Sequence, residues 1–509
     1  MLAGVGRLNR LLRLSHWCVL FAIVLSMLSS ALCVSLMGIS VPRVHDEFAY
    51  LLGADTFASG RLSNPTHPMW EHFESFHVLS KPSFMPKYPP AQSVVLAVGQ
   101  RLGHPYLGVC LSSALAAGAL TWMMIAWVPW RYRWLCVAFS GLSPGLHIKW
   151  GHSYLGGAIA VLAASLLLGA LFRSLRILQV RQSILAAVGI GLLAISRPFE
   201  GAVLTLFVSV ILLIRIGRAG QWRLAFQKVF VPAGIVLAFF AAGLMVNNSR
   251  VTGHPLRLAY QIYEQQYGRL PLFLWQAAKA DPPQYRHDVF KVYYDGEATE
   301  AARKFSSFGS IIVQKGKSLL EVIHFIAGGC EYFLFLLVLP LAWYSSRFRL
   351  ILWLLIPTLL AAAATPWTLT HYAAPAMPLV LMLIVLALVR ILKLLRRHQQ
   401  SVFSGIVVAI AAALFGLHGW ALFQVDQQLN QTPWAIRRQQ MQQELTEQPG
   451  LDLVLVSYSS QHNPHQEWVY NQADIDGAEV VWARSISEEA DQRLIEYFSN
   501  RRVHRLQID

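Results

Sequence analysis

Residues 17–50 read WCVLFAIVLSMLSSALCVSLMGISVPRVHDEFAY. The stretch up to about residue 41 carries no charge. About 20 apolar residues suffice to cross a bilayer as a helix. Arg7, Arg10 and Arg13 precede the run, and Asp46 and Glu47 follow it closely. A secretory leader has an apolar core of about 7–15 residues and a small-residue cleavage site. This run is longer and no such site follows, so it reads as a retained anchor.

Ten further runs of similar character lie at about 105–128, 134–149, 154–172, 183–196, 199–216, 229–246, 319–343, 348–366, 372–392 and 402–423. The expected fold is therefore mostly α, a polytopic membrane protein of about eleven transmembrane helices. Composition agrees: 55% of the 509 residues are hydrophobic and 14% are charged, against about 25% charged in soluble domains. The net charge of +15 does not point to nucleic acid, because the basic residues cluster between apolar runs. With eleven spans, the clusters Arg131/Arg133, Arg173/Arg176/Arg181, Arg215 to Lys228, Arg347/Arg349 and Arg390 to Arg397 fall on the same side as the amino terminus. By the positive-inside rule that side is cytoplasmic, in a cell inner (plasma) membrane. The five cysteines lie in or beside apolar runs and read as small buried hydrophobes.

This organisation gives a membrane domain over 1–424, external loops at about 42–104 and 247–318, and a small external α/β domain over 425–509. In that tail, 451–456, 478–482 and 503–508 read as strands, and 487–498 as a helix with Ser487 as N-cap. No G-x-G-x-x-G or P-loop is present.

The external segments hold the candidate site residues. Asp46 and Glu47 open a helix that Gly60 ends. Either suits a first helical turn, and either is a candidate base at a membrane interface, where polar groups are costly. The histidines and acids of 67–77 match no specific metal spacing. Lys87 and Tyr88 precede Pro89-Pro90, a rigid lead into a helix. Lys87 suits either snorkelling or a phosphate. Arg197 sits in a short external turn beside Glu200, against the charge trend. His371 and Tyr372 lead a run containing Pro375 and Pro378, whose freed carbonyls should face protein or a cavity. His462 and His465 lie in a polar tail loop.

These features together resemble the GT-C glycosyltransferases, in the branch of the protein O-mannosyltransferases and the lipid A aminoarabinose transferase. The residues that carry the resemblance are Asp46-Glu47 after the first span, Tyr50, Ala54 to Gly60, Lys87-Tyr88-Pro89-Pro90 and His371 to Pro375. The resemblance implies a polyprenyl-phosphate sugar donor, inversion at the anomeric carbon, and a lipid, glycan or protein acceptor. It implies Asp46, with Glu47 beside it, as the catalytic base and Lys87 as a phosphate-binding lysine; Tyr88, Arg197, His371 and Tyr372 are the further external candidates around the donor phosphate. A second acid is usual in the next external loop, and a divalent metal in some relatives. Here that loop reads Lys149 to Tyr154 with no acid, leaving His152 as the substitute and weakening the case for a metal.

Two other classes remain on the sequence. A secondary transporter or lipid flippase would place its site near the midplane and show repeats, which are not visible. An O-antigen polymerase or ligase would use a late external loop, for which Arg250, Arg257, Arg269, Tyr260 and Tyr263 are available.

Overall fold

The computed structural model describes residues 2–276, 279, 281, 283–332, 340 and 344–509, with side chains from residue 15 onward. Eight helices among the described residues are long and apolar enough to cross a membrane: Ser15–Met37 of α1 (Leu2–Met37), Pro105–Met124, Gly157–Ser174, Pro198–Arg218, Trp222–Thr252, Ser346–Ala363, Ala374–Arg397 and Ser401–Asn430. The chain is a multi-pass, mostly α-helical membrane protein.

Of the three other expected spans, two differ, each for a local reason. The run at 134–149 is a helix over Arg133–Gly141 followed by a wide turn over Gly145–Lys149. Pro144 separates them, because proline restricts the residue before it and donates no hydrogen bond. The run at 183–196 is a helix over Val180–Ala194, about 22 Å long at 1.5 Å per residue and shorter than a bilayer core. The run at 319–343 lies partly outside the described residues. Its residues 319–327 belong to a helix over Phe308–Ala327 that Ser307 caps by accepting the Ser310 N–H.

The helix Ala374–Arg397 is buried along most of its length, including Leu379, Leu381, Ile384 and Val385. It is the core of the bundle. Trp222–Thr252 and Ser401–Asn430 are largely exposed on the periphery, as helices facing lipid should be. Basic side chains from separate turns meet at one end. Arg133 donates to the Ser15 hydroxyl at 2.8 Å, and Arg173 donates to the Trp122 carbonyl at 2.6 Å. Arg347 reaches the Trp127 carbonyl at 3.3 Å, and Arg396 lies over the Tyr132 ring.

The opposite end carries everything else. There α2 (His45–Ala58) and α3 (Ala91–Arg101) flank three short antiparallel strands, β1 (Asn64–Pro65), β2 (Val78–Leu79) and β3 (Ser83–Pro86), ordered β1-β3-β2. Helices over Ala259–Gln266 and Asp288–Lys304 pack beside them. The expected boundary at 424/425 falls inside Ser401–Asn430, and the soluble tail starts with a helix at Pro433–Glu447. The expected tail strands and helix are present as β4 (Asp452–Tyr458), β5 (Val480–Arg484), Glu488–Tyr497 and β6 (Arg502–Ile508). All pairing is parallel, with β4 central between β5 and β6.

One face of the tail sheet packs a core of its own, with Val454, Val456, Trp468, Val480 and Trp482, and the other face does not close on the tail alone. Leu453, Ala483 and Leu494 share one apolar cluster with Phe48, Leu52 and Phe73 of the segment that follows α1. Arg484 binds Glu467 at 2.7 Å with both side chains buried, donates to the Glu74 carbonyl, and lies over the Tyr458 and Phe290 rings. Removing one partner of a buried ion pair costs about 3–5 kcal/mol, because the other charge is left uncompensated. Glu467→Leu is therefore expected to lower the unfolding midpoint in detergent sharply. Glu488→Leu, on the exposed first turn of a tail helix, is the control and is expected to leave the midpoint nearly unchanged.

Candidate active site

The start of α2 sorts the two neighbouring acids into different jobs. Val44 is the N-cap residue, so Asp46 does not cap. Glu47, at the third helical position, accepts the Arg43 N–H at 2.9 Å and the Val44 N–H at 3.3 Å on one oxygen. Its other oxygen accepts the Tyr154 N–H at 3.0 Å. Glu47 is 1% exposed. Both oxygens hold backbone, and neither is directed to a ligand.

Asp46 points elsewhere. One oxygen lies 2.7 Å from His77 Nδ1, and the other is 4.0 Å from His371 Nε2. Among the described residues the second oxygen accepts no hydrogen bond. Burial opposes ionisation of Asp46, but His77, His371 and Lys87 around it more than offset this, so the carboxyl is held well below the usual carboxylate range.

His77 reaches Asp46 through an unusual backbone. Its φ is 62°, in the left-handed region that non-glycine residues rarely enter. The position is held by its N–H donating to Tyr263 Oη at 2.8 Å and its carbonyl accepting the Lys87 N–H at 3.0 Å. Such strain is retained where neighbouring structure over-determines it, commonly at functional sites. Tyr88 Oη lies 2.9 Å from the same His77 nitrogen and stacks on Tyr50.

Two cations face this carboxylate. Lys87 Nζ lies over the rings of Tyr263, Tyr260 and Tyr88 at 4.5, 5.1 and 5.5 Å. Burial lowers its pKa, opposed by the charges of Glu264, Asp46 and Glu297. Arg197 lies over Tyr372 at 4.9 Å, and Tyr372 meets His371 edge-on. Among the described residues neither cation has a carboxylate oxygen within 4.0 Å. Lys149 adds positive charge near His371.

The structure thus brings together Asp46, Lys87, Tyr88, Arg197, His371 and Tyr372. His465 stands at the rim, its ring 5.2 Å from Tyr293. His152 is elsewhere: it binds Asp426 at 2.6 Å and the Gly38 carbonyl at 2.9 Å, and Asp426 also binds Arg43 at 2.6 Å. His462 stacks on Tyr458 within the tail. With both nitrogens of His152 engaged, the loop offers no second ligand beside Asp46. The residues present do not fit a metal there, and among the described residues no group of three His, Cys, Asp or Glu is placed to hold one. Sequence reading did not single out His77, Glu264, Glu297 or Lys149. His77 enters from the turn before β2, Glu264 and Glu297 from the helices Ala259–Gln266 and Asp288–Lys304, and Lys149 from the turn Gly145–Lys149, and no spacing along the chain announces it.

Burial of neutral histidines makes stability pH-dependent. Burial, then Lys87, pushes His77 down to about 4; burial, then Arg197, pushes His371 down to about 3. Both titrate near 6.5 when unfolded, so between these values the unfolded chain binds more protons. Stability is then full above about pH 6.5 and falls as pH drops toward 4. Unfolding midpoints measured from pH 7.5 to 4.5 should decline, and His77→Gln should flatten the decline.

No family model and no curated protein matches the sequence. Among solved structures, ArnT from Cupriavidus metallidurans bound to undecaprenyl phosphate aligns over 96% of this chain and 90% of that chain, with a TM-score of 0.53 and 14% identity. The Archaeoglobus fulgidus oligosaccharyltransferase in complex with zinc and sulfate aligns over 86% of this chain and 60% of that chain, with a TM-score of 0.49 and 14% identity. The first likeness shows a shared architecture: the chain has the GT-C fold.

Proposed function

We propose, on the premise of the GT-C fold, that this chain is a membrane glycosyltransferase that moves a sugar from a polyprenyl-phosphate carrier to an acceptor hydroxyl with inversion. The observation that carries the reading is the Asp46 carboxylate, with one oxygen free of hydrogen bonds among the described residues, facing Lys87 and Arg197, neither of which has a described carboxylate oxygen within 4.0 Å. In the reaction the acceptor oxygen bonds to the anomeric carbon, its proton passes to Asp46, and the carbon–oxygen bond to phosphate breaks with its electron pair leaving on the phosphate. A positioned base assists the first event. Cations at the departing oxygen favour the transition state over the ground state. One displacement inverts the centre.

The basic end of the bundle faces the cytoplasm in this reading, by the positive-inside rule. The site and the tail are then external. An apolar groove of about 340 Å³ beneath the turn 145–149, lined by Leu32, Phe139, Ile148, Leu388 and Phe415 among others, offers the carrier's tail a place between spans.

The polymerase reading is less favoured by the placement of its arginines. Arg257 is engaged by Gln265 and Arg269 by Asp295, while Tyr260 and Tyr263 join Lys87. A transporter is disfavoured because the polar groups gather at one end rather than the midplane.

The test is binding in detergent. The protein is expected to bind undecaprenyl phosphate about tenfold or more tightly than undecaprenol, since a charge-assisted contact is worth about 1.5–3 kcal/mol. Equal affinity for the two would overturn the assignment of a phosphate-bearing carrier.

A further inference from the structure

The walls around Asp46 differ in origin. Arg197, His371 and Tyr372 stand at helix ends of the bundle. On the other side stand His45 of α2, Tyr293 of the helix Asp288–Lys304, and His465 and Tyr470 of the tail. This second wall is continuous. His45 lies 5.5 Å from His77, 5.4 Å from Tyr293 and 6.0 Å from His465, ring centre to ring centre. His465 is exposed, so the row runs from the partner of Asp46 to the surface.

One atom in it lacks an explanation. His45 is 5% exposed and its ring is stacked on Phe76 at 4.5 Å. Its Nδ1 lies 2.7 Å from Tyr470 Oη. Its Nε2 is buried and has no hydrogen-bond partner. Buried polar atoms are nearly always paired, and an orphan marks a group waiting for something. With the Tyr470 hydroxyl donating to Nδ1, the proton of His45 sits on Nε2, which becomes a donor without a partner in the residue next to Asp46.

The charge along this wall restricts the partner. Its rings carry no fixed positive charge, since burial disfavours the protonated forms of His45 and His465, and Lys304 on the neighbouring helix is already paired with Glu300. An anionic acceptor would be desolvated there without a counter-charge. Lys87 and Arg197 serve the phosphate on the other sides.

Resting on the proposed transferase activity, we infer that His45, Tyr293 and His465 form the acceptor subsite, that Tyr470 fixes the His45 ring for it, and that the acceptor is an uncharged polyhydroxyl compound, a glycan hydroxyl rather than a phosphate. His45 Nε2–H holds one acceptor oxygen, and the neighbouring hydroxyl gives its proton to Asp46. His45 positions and does not exchange a proton.

The experiment uses full-length protein, an undecaprenyl-phosphate sugar that it cleaves, and two probes, glycerol and glycerol 3-phosphate. Sugar transferred to each probe is compared with sugar released to water. Wild type should favour glycerol over glycerol 3-phosphate by about tenfold, as a site built for one polar pattern rejects another. His45→Ala and Tyr470→Phe should each lower the ratio of glycerol transfer to hydrolysis by about tenfold, with affinity for undecaprenyl phosphate kept. A merely structural role would lower both products together and leave the ratio unmoved, which overturns the inference, as does preference for glycerol 3-phosphate. Failure of wild type to cleave any undecaprenyl-phosphate sugar would instead sink the transferase reading beneath it. Tyr470→Phe removes one oxygen from a packed ring, so it reports even if His45→Ala does not fold.

Discussion

Asp46→Asn is expected to cut sugar transfer by about 10²–10⁴-fold, the usual contribution of a positioned general base, while undecaprenyl phosphate still binds. Asparagine fills the same volume on the first turn of α2 and can keep a polar contact to His77, which lies 2.7 Å from the present carboxylate. It cannot take a proton. The effect should appear in kcat and kcat/KM together, which marks an interaction made in the transition state. The neighbouring acid gives the contrast. Glu47 spends both oxygens on the N–H groups of Arg43, Val44 and Tyr154. Glu47→Gln should therefore act on the unfolding midpoint, and the transfer rate of the folded fraction should change far less than in Asp46→Asn. Equal losses of rate in the two variants would contradict the division of labour.

Lys87→Ala is expected to lower transfer by about 10²–10³-fold, the cost of losing one preorganised group at a developing anion. It should also weaken undecaprenyl phosphate binding, measured by equilibrium titration. The ammonium lies over Tyr263, Tyr260 and Tyr88 and, among the described residues, has no carboxylate oxygen within 4.0 Å. These rings attract the cation without neutralising it, so its charge remains available to phosphate. Lys87→Arg should rescue only in part. A planar, forked guanidinium does not fill the space of a compact ammonium. Full rescue would show that charge alone matters and that the ring geometry does not.

The membrane part was largely legible because its signal is additive. Twenty apolar residues in a row need no tertiary context to be recognised. At the run 134–149 a single residue was decisive: Pro144 splits what looked like one span into a short helix and a turn. The tail was legible in its strands but not in its placement. Phe48 and Leu453 meet in one cluster, and nothing in either segment names the other.

The site divides in the same way. Asp46, Lys87, Arg197 and His371 stood out because charge next to an apolar run is costly. The separate roles of Asp46 and Glu47 were not legible, since they follow from which side of α2 each faces. His77 was visible only as one histidine among several, and its place beside Asp46 depends on a left-handed backbone. His152 looked like a substitute acid. Its engagement by Asp426, 274 residues away, could not be foreseen from its own loop.

The most direct test of the central claim is turnover of a panel of undecaprenyl-phosphate sugars by purified protein in detergent, following release of undecaprenyl phosphate. Wild type should cleave at least one member of the panel, and Asp46→Asn, folded to the same extent, should release almost none of the product. Release by Asp46→Asn at the wild-type rate would contradict the account.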